Sequence, residues 1–518
     1  MKCILNVSFC LGLLLTSAVI AADEYPSYSL ASSDAYDFSR IEAYTGKHEG
    51  VYAHIDKNLE GHFKNLQRWV SQPSISAQNI GITEMAELLR DDLAAIGFSE
   101  TTLVPTSGHP GVWGYYDAGA EKTLLVYMMY DVQPVNEDDW ESPPFEGKLV
   151  DRDFGRVMMA RGATNQKGPE RAFLNALDSI IKVNGTLPVN LMLLAEGEEE
   201  LGSPHYPELV DVYEQRLKTA DGVLFPFNSQ NLNGELTVLL GVKGILYWEL
   251  ESKGGAWGGP GRSEIHGSYK AVVDSPAQRL ISAIASMTSA DGNTILIEGY
   301  YDDVKPPTVE ESMLINTMGK DWSGEDWKKG LSLSKFIHGL EGQAALMRYL
   351  YDVTLNVDGI WSGYTGEGVK TILPHIATAK MDSRLPLGVD PDTQLARIRK
   401  HLDDSGFSDI TIRKLSGYPA AQTSVGAPLV LAAMGVFSKW ASIDNVMPRI
   451  GGSAPFYQFT ERLGLPLVFN GLGHGTGAHG PNEYMLIYPA KGSSIAGLAD
   501  IEKSYVDLLF ALAKPAQD

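Results

Sequence analysis

Leu191-Met192-Leu193-Leu194-Ala195-Glu196-Gly197-Glu198-Glu199-Glu200-Leu201-Gly202-Ser203 decides how this chain is read. A short continuous apolar run is what a strand covered on both faces needs, and this one empties directly into a cluster of acids. Leu124-Leu125-Val126-Tyr127-Met128 is a second such run, leading into Met129-Tyr130-Asp131-Val132-Gln133-Pro134. Between them, after Lys167-Gly168, Phe173, Leu174, Leu177, Ile180 and Ile181 recur at helical spacing. Strand, polar loop and helix in repetition predict an α/β fold, a mostly parallel sheet flanked by helices. Functional groups in such sheets gather beyond the carboxyl ends of the strands. That rule puts Met129, Asn165, Glu199, Glu200 and the Phe227-Asn228 segment at one site.

The chain has 518 residues, enough for two domains with substantial cores. Lys2, an apolar run from Phe9 to Ile20 and then Ala21-Ala22-Asp23 read as a signal peptide over 1–22, too short to span a membrane. Secretion or a periplasmic location is the expectation. Both cysteines, Cys3 and Cys10, fall inside that segment, so the remainder has neither disulfides nor thiolate ligands. A net charge of −22 argues against nucleic acid or an anionic membrane as partner. Solubility in a salty exterior is the favoured reading of the acidity, which says nothing of the substrate.

Residues 23–45 are polar and rich in Tyr, Ser and Asp, as in an extended arm. Composition changes near Gly241-Val242-Lys243-Gly244, and a glycine-rich stretch from Gly254 follows. We therefore divide the rest into 46–244, an inserted domain over 245–416, and 417–518, where the chain returns to the first domain.

Motifs stand in order along this frame: Tyr127–Pro134, Arg161-Gly162-Ala163-Thr164-Asn165-Gln166-Lys167-Gly168, Glu196–Ser203, and Gly477-Ala478-His479-Gly480-Pro481-Asn482-Glu483. Together with His266, Gly359–Tyr364, Arg384-Leu385 and Pro448–Ser453, they make the chain resemble the di-zinc aminoacylase, carboxypeptidase and carnosinase family of metallopeptidases. The likeness covers about residues 46–515. It implies a zinc-exopeptidase-like catalytic domain and an inserted α+β lid through which such proteins dimerise.

Several ligand positions implied by the resemblance are altered, so the chain reads as a divergent member. Met129 stands where the first metal's histidine belongs, and Phe227 or Asn228 where its aspartate belongs. The bridging position is Asn165, an uncharged and weak ligand. The second metal keeps Glu200 and His479. Catalytic zinc normally has three protein ligands and an open position, so at most one zinc is expected. The resemblance also makes Glu199 the general base and His266 the lid histidine that polarises the scissile carbonyl. Arg384 and Arg449 become candidates for a substrate carboxylate, which a guanidinium fork matches, and Asn356 a donor to an oxyanion. His474 is a possible substitute ligand, and Asp131, without its histidine, has no assigned partner.

Three readings follow. The first is a hydrolase of amide bonds in small peptides or N-acyl amino acids with a free carboxylate, working as a homodimer with one retained metal. The second is metal-independent acid–base or acyl-transfer chemistry in the same pocket. The third is an inactive binding protein.

Overall fold

The computed structural model describes residues 28–319 and 322–513; the expected signal peptide at 1–22 lies outside the described residues. The two apolar runs lie at the centre of a six-stranded sheet. Its order is Glu100–Val104, Gly111–Tyr116, Asn190–Glu196, Thr123–Met129, Gly222–Leu224 and Leu467–Val468. Thr123–Met129 pairs in parallel with both neighbours, and Leu467–Val468 in parallel with Gly222–Leu224. Gly111–Tyr116 runs against the strands on either side of it, so the sheet is mixed.

The two-residue period of a strand explains why these runs are apolar throughout. Leu124, Val126 and Met128, with Leu191 and Leu193, enter the core under Glu49–Ser71, Lys167–Asn184 and Leu498–Leu512. Leu125, Tyr127 and Met129, with Met192 and Leu194, enter the core on the other face, packed with Tyr206, Leu209 and Phe459. Each run feeds two cores at once. Neither face can carry a polar residue until the strand ends.

The inserted segment builds its own sheet, antiparallel throughout: Asn356–Ser362, Ile376–Leu385, Gly244–Lys253 and Thr411–Tyr418. Helices Pro276–Ser286 and Pro391–Asp404 cover one face around Trp248, Leu250 and Met381. Ser275 and Asp390 cap these helices with their side chains, each followed by proline in the first turn.

Part of the insert returns to the first domain. Leu314, in helix Val309–Gly319, joins the main core, and Ile315 packs with Leu346, Leu350 and Met447. Across the same contact Glu310 accepts from Ser424 and Val425. Residues 31–36 run over this helix, with the Tyr36 N–H near Met313 O and Thr317 Oγ1; after a 3-10 turn at Phe38–Arg40, the Tyr44 N–H donates to Gly435 O in helix Pro428–Trp440. Among the described residues no helix is long and apolar enough to cross a membrane.

Candidate active site

The acid motif begins where the Asn190–Glu196 strand ends. Gly197 is required there: a Cβ on it would lie 2.5 Å from the Tyr130 ring. The chain then makes a single 3-10 turn, Glu199–Leu201. Asp131, fully buried, holds that turn in place. It accepts the backbone N–H groups of Glu199 and Glu200, each at 3.1 Å, and the Ser76 hydroxyl at 2.8 Å. The aspartate left without a partner in the sequence is thus the clamp of the Glu199–Leu201 turn. Burial, and after it the Glu200 charge, pushes its carboxyl up to about 7.

Glu200 is the hub of the cluster, its side chain only 4 % exposed. Oε1 accepts from Asn165 Nδ2 at 2.7 Å and Oε2 from Gln133 Nε2 at 2.8 Å. His479 Nε2 lies 3.2 Å from the same Oε2. That hydrogen bond raises the imidazole above its ordinary value. His479 sits at φ +64° although it is not glycine, a conformation that persists only where surroundings enforce it.

Glu199 lies beside this hub, and among the described residues no protein group hydrogen-bonds its carboxylate. Burial, then the charges of Glu200 and Asp131, drive its carboxyl well above the usual range. Two further buried acids sit beneath. Tyr127 and Ser203 donate to Glu196, which burial lifts to about 8. Glu170 accepts the Met129 N–H. Lys167, the buried cation nearby, gives its Nζ protons to Trp69 O and Gln72 O, and burial lowers it to about 7. Burial disfavours the charged forms of Asp131, Glu170, Glu196 and Glu199 alike.

The loop bearing Asn165 is fixed from a different part of the chain. Glu483 accepts the N–H groups of Gly162, Thr164 and Asn165 and pairs with Arg161 at 2.6 Å. Gly168 lets the following helix close on this loop, since a Cβ there would meet Ala163 O at 2.0 Å.

This donor set does not fit a pair of zinc ions. The Met129 side chain is buried in the apolar core, and Phe227 packs against Phe225. Asn228 and Asn165 bring only uncharged amide oxygens, their N–H groups going to Thr164 at 3.1 Å and to Glu200 at 2.7 Å. His474 is no substitute ligand, because its ring nitrogens bond Gln230 O at 2.8 Å and the Tyr484 hydroxyl at 3.2 Å. Among the described residues no three His, Cys, Asp or Glu side chains form a metal-holding group. Glu200 and His479 remain as two donors that converge.

The lid side of the site is built on strand register. Ile245 is paired with Arg384 on one side and Tyr418 on the other, and residues opposite one another in a sheet project from the same face. Burial raises the Tyr418 hydroxyl, and the charges of Glu199 and Arg384 both act on it, so the acid cluster and the guanidinium are both near this side chain. Arg384 is fixed by Asp382 at Nε, 3.1 Å, and by the Ser453 hydroxyl at Nη1, 3.0 Å.

The other candidates are placed differently. Arg449 does not front a pocket: it is 1 % exposed, its guanidinium bonded to Glu311 and Gln422 and lying over the Tyr351 ring at 4.5 Å. Asn356 lies on the edge strand of the insert and donates to Asp358 and Asp382. His266 is exposed, with its ring bonded to Ser268 within its own turn. Gln133 was missed as a cluster member, although it lies inside a quoted motif, while Asp131, left without its histidine in the sequence, holds the acid turn through two backbone N–H groups.

Comparison with known proteins places this geometry. The family model for peptidase family M20/M25/M40 matches residues 125–491. The Cys-Gly metallodipeptidase DUG1 of Candida albicans is 29% identical over 453 residues, 81% of this chain and 90% of that protein. The β-Ala-His dipeptidase of Mus musculus is 24% identical over 469 residues, 85% of this chain and 92% of that one. Among solved structures, an M20 family metallo-carboxypeptidase from Sulfolobus solfataricus superposes with a TM-score of 0.76 at 32% identity. That match covers 87% of this chain and 98% of the other.

Proposed function

The chain belongs to peptidase family M20/M25/M40, and we propose that it is a dipeptidase-like hydrolase of amide bonds in small peptides or N-acyl amino acids bearing a free carboxylate. The observation that carries this is the strand register that sets Arg384 and Tyr418 on either side of Ile245, with the Tyr418 hydroxyl under the charges of both Glu199 and Arg384. An acid–base group and a carboxylate-binding cation thereby lie near one another.

Arg384, its guanidinium held by Asp382 and Ser453, fixes the substrate carboxylate and sets the register of the amide. Glu199 takes a proton from water as the water oxygen bonds to the carbonyl carbon. It returns that proton to the amide nitrogen as the C–N bond breaks, leaving an acid and an amine. Glu200 and His479 are the residues that would hold a single zinc ion, whose chemistry when bound is polarisation of the carbonyl and of water. His266, exposed on the insert, is suited to reach the site of a second copy, which is the reason to expect a homodimer.

A metal-independent route is the second reading. It is favoured by the amides of Asn165 and Gln133, which already satisfy both Glu200 oxygens. Amine release from Cys-Gly, β-Ala-His and N-acetyl amino acids, measured with chelator and with added zinc, tests both routes. Glu199→Gln should lower turnover by about 100-fold or more in either case. Full activity in that variant would overturn the proposal. Activity that survives chelation would select the metal-independent route.

A further inference from the structure

Beside Arg384 opens a cavity of about 770 Å³ that no step above uses. Trp322, Trp327, Phe336 and Tyr349 form its walls, Leu331 and Leu333 line its rim, and its inner end is closed by Lys243, Arg384 and the Gly451-Gly452 backbone. The rings brace one another. Trp327 meets Trp322 edge-on at 5.0 Å and Tyr349 at 4.6 Å, and Phe336 stacks on Trp322 at 6.5 Å. Such contacts fix ring positions before any ligand arrives.

The cavity and the carboxylate site share a wall. The Gly451 N–H donates to the Tyr349 hydroxyl at 2.8 Å, and a Cβ on Gly451 would lie 2.8 Å from that ring. Two residues further on, Ser453 holds Arg384. Leu331 is 65 % exposed and Leu333 44 % exposed, apolar side chains facing water at a rim with no described partner. Arg384 and Lys243 line the cavity together with Asp352, whose carboxyl pairs with Arg348, and most of the remaining lining is aromatic and aliphatic. The complementary ligand is an anion with an apolar body: a carboxylate at the inner end, a ring or branched chain against the tryptophans. A cavity of this size takes a whole small ligand.

We propose that this cavity receives the side chain of the residue that carries the free carboxylate, so that ligands ending in an aromatic or large aliphatic amino acid bind in preference to those ending in glycine. The inference rests on the reading of Arg384 as the carboxylate site.

Calorimetric titration of the full chain with N-acetylphenylalanine and N-acetylglycine tests it, in the Glu199→Gln background, which serves as the parent for these titrations because it does not turn the amides over. Burying a phenyl ring should make the first ligand bind about 10- to 100-fold more tightly. Leu331→Asp combined with Leu333→Asp changes only rim positions that already face water, and circular dichroism checks that the variant folds. It should bring N-acetylphenylalanine down to the N-acetylglycine level, whereas Arg384→Ala should weaken both ligands. Quenching of tryptophan fluorescence by N-acetylphenylalanine alone gives a second readout. Equal affinities in the parent, or a preference that survives the rim variant, would overturn the cavity assignment and leave the hydrolase reading standing. If neither ligand binds, the cavity and the Arg384 assignment fall together. The hydrolytic reading is judged separately by Glu199→Gln turnover.

Discussion

Asn165→Asp restores the charge that the resemblance expects at the bridging position, and the structure gives the size of its effect. Asn165 Nδ2 donates to Glu200 Oε1 at 2.7 Å. A carboxylate oxygen placed there faces another carboxylate at the same separation, a repulsion of about 6 kcal/mol at an effective dielectric of about 20. The lost hydrogen bond to a charged acceptor adds about 1.5–3 kcal/mol. One of the two acids will take up a proton instead of bearing the full repulsion, and a pKa raised by about 2–3 units limits the net penalty to about 3–4 kcal/mol at neutral pH. Urea unfolding followed by tryptophan fluorescence, with chelator present, should show a loss of that size. Zinc should return about 2.7 kcal/mol at a hundredfold excess over its Kd, because the variant adds a carboxylate at position 165 to Glu200 and His479, where the parent has those two donors alone. If the variant is as stable as the parent in chelator, Asn165 does not hold Glu200 as described. If it is destabilised but indifferent to zinc, residue 165 is not the missing ligand.

Further expectations follow from other parts of the molecule. Burial, and then the charges of Arg449 and Arg384, lower Lys243 to about 7 against an ordinary 10.5. The unfolded chain therefore binds the extra proton between about pH 7 and 10.5, and stability rises with pH across that window by about 1.4 kcal/mol per unit. Denaturant titrations of the parent and of Lys243→Met should converge as pH rises. A gap that stays constant would refute the assignment. Arg449→Met strands Glu311, which is 2 % exposed, and should destabilise by about 3–5 kcal/mol. Adding Glu311→Gln should recover part of that loss, and a purely additive double variant would refute the pairing. His479→Ala should change stability by less than about 1 kcal/mol, since the ring is 61 % exposed, while lowering any zinc content measured by elemental mass spectrometry.

Much of the site could be read in the chain because local pattern dictates it. Leu124–Met129 and Leu191–Ala195 are apolar at every step because each face of the strand meets a different core. The loops that leave such strands must then carry the polar residues, so Glu199, Glu200 and Asn165 were legible as neighbours. Arg449 was misread because its partner, Glu311, lies 138 positions earlier on a helix of the insert, and nothing in Pro448–Ser453 reveals it. His474 sits in a glycine-rich loop like His479, five residues away, yet one ring is tied to Gln230 and Tyr484 and the other reaches Glu200. Backbone direction separates them, and backbone direction is set by packing.

By itself, then, the sequence determined the α/β frame, the family likeness and the uncharged side chains of Met129, Asn165, Phe227 and Asn228 where loops leave the strands, all of which depend on residue type and spacing along one strand or loop. Only the tertiary structure decided that Asp131 clamps the acid turn, that Asn165 and Gln133 satisfy Glu200, and that Arg384 rather than Arg449 stands open beside an aromatic cavity. Those facts are contacts between segments far apart in the chain. A hydrogen bond of 2.7 Å or a buried ion pair depends on where the folded chain sets each backbone, which no local pattern encodes.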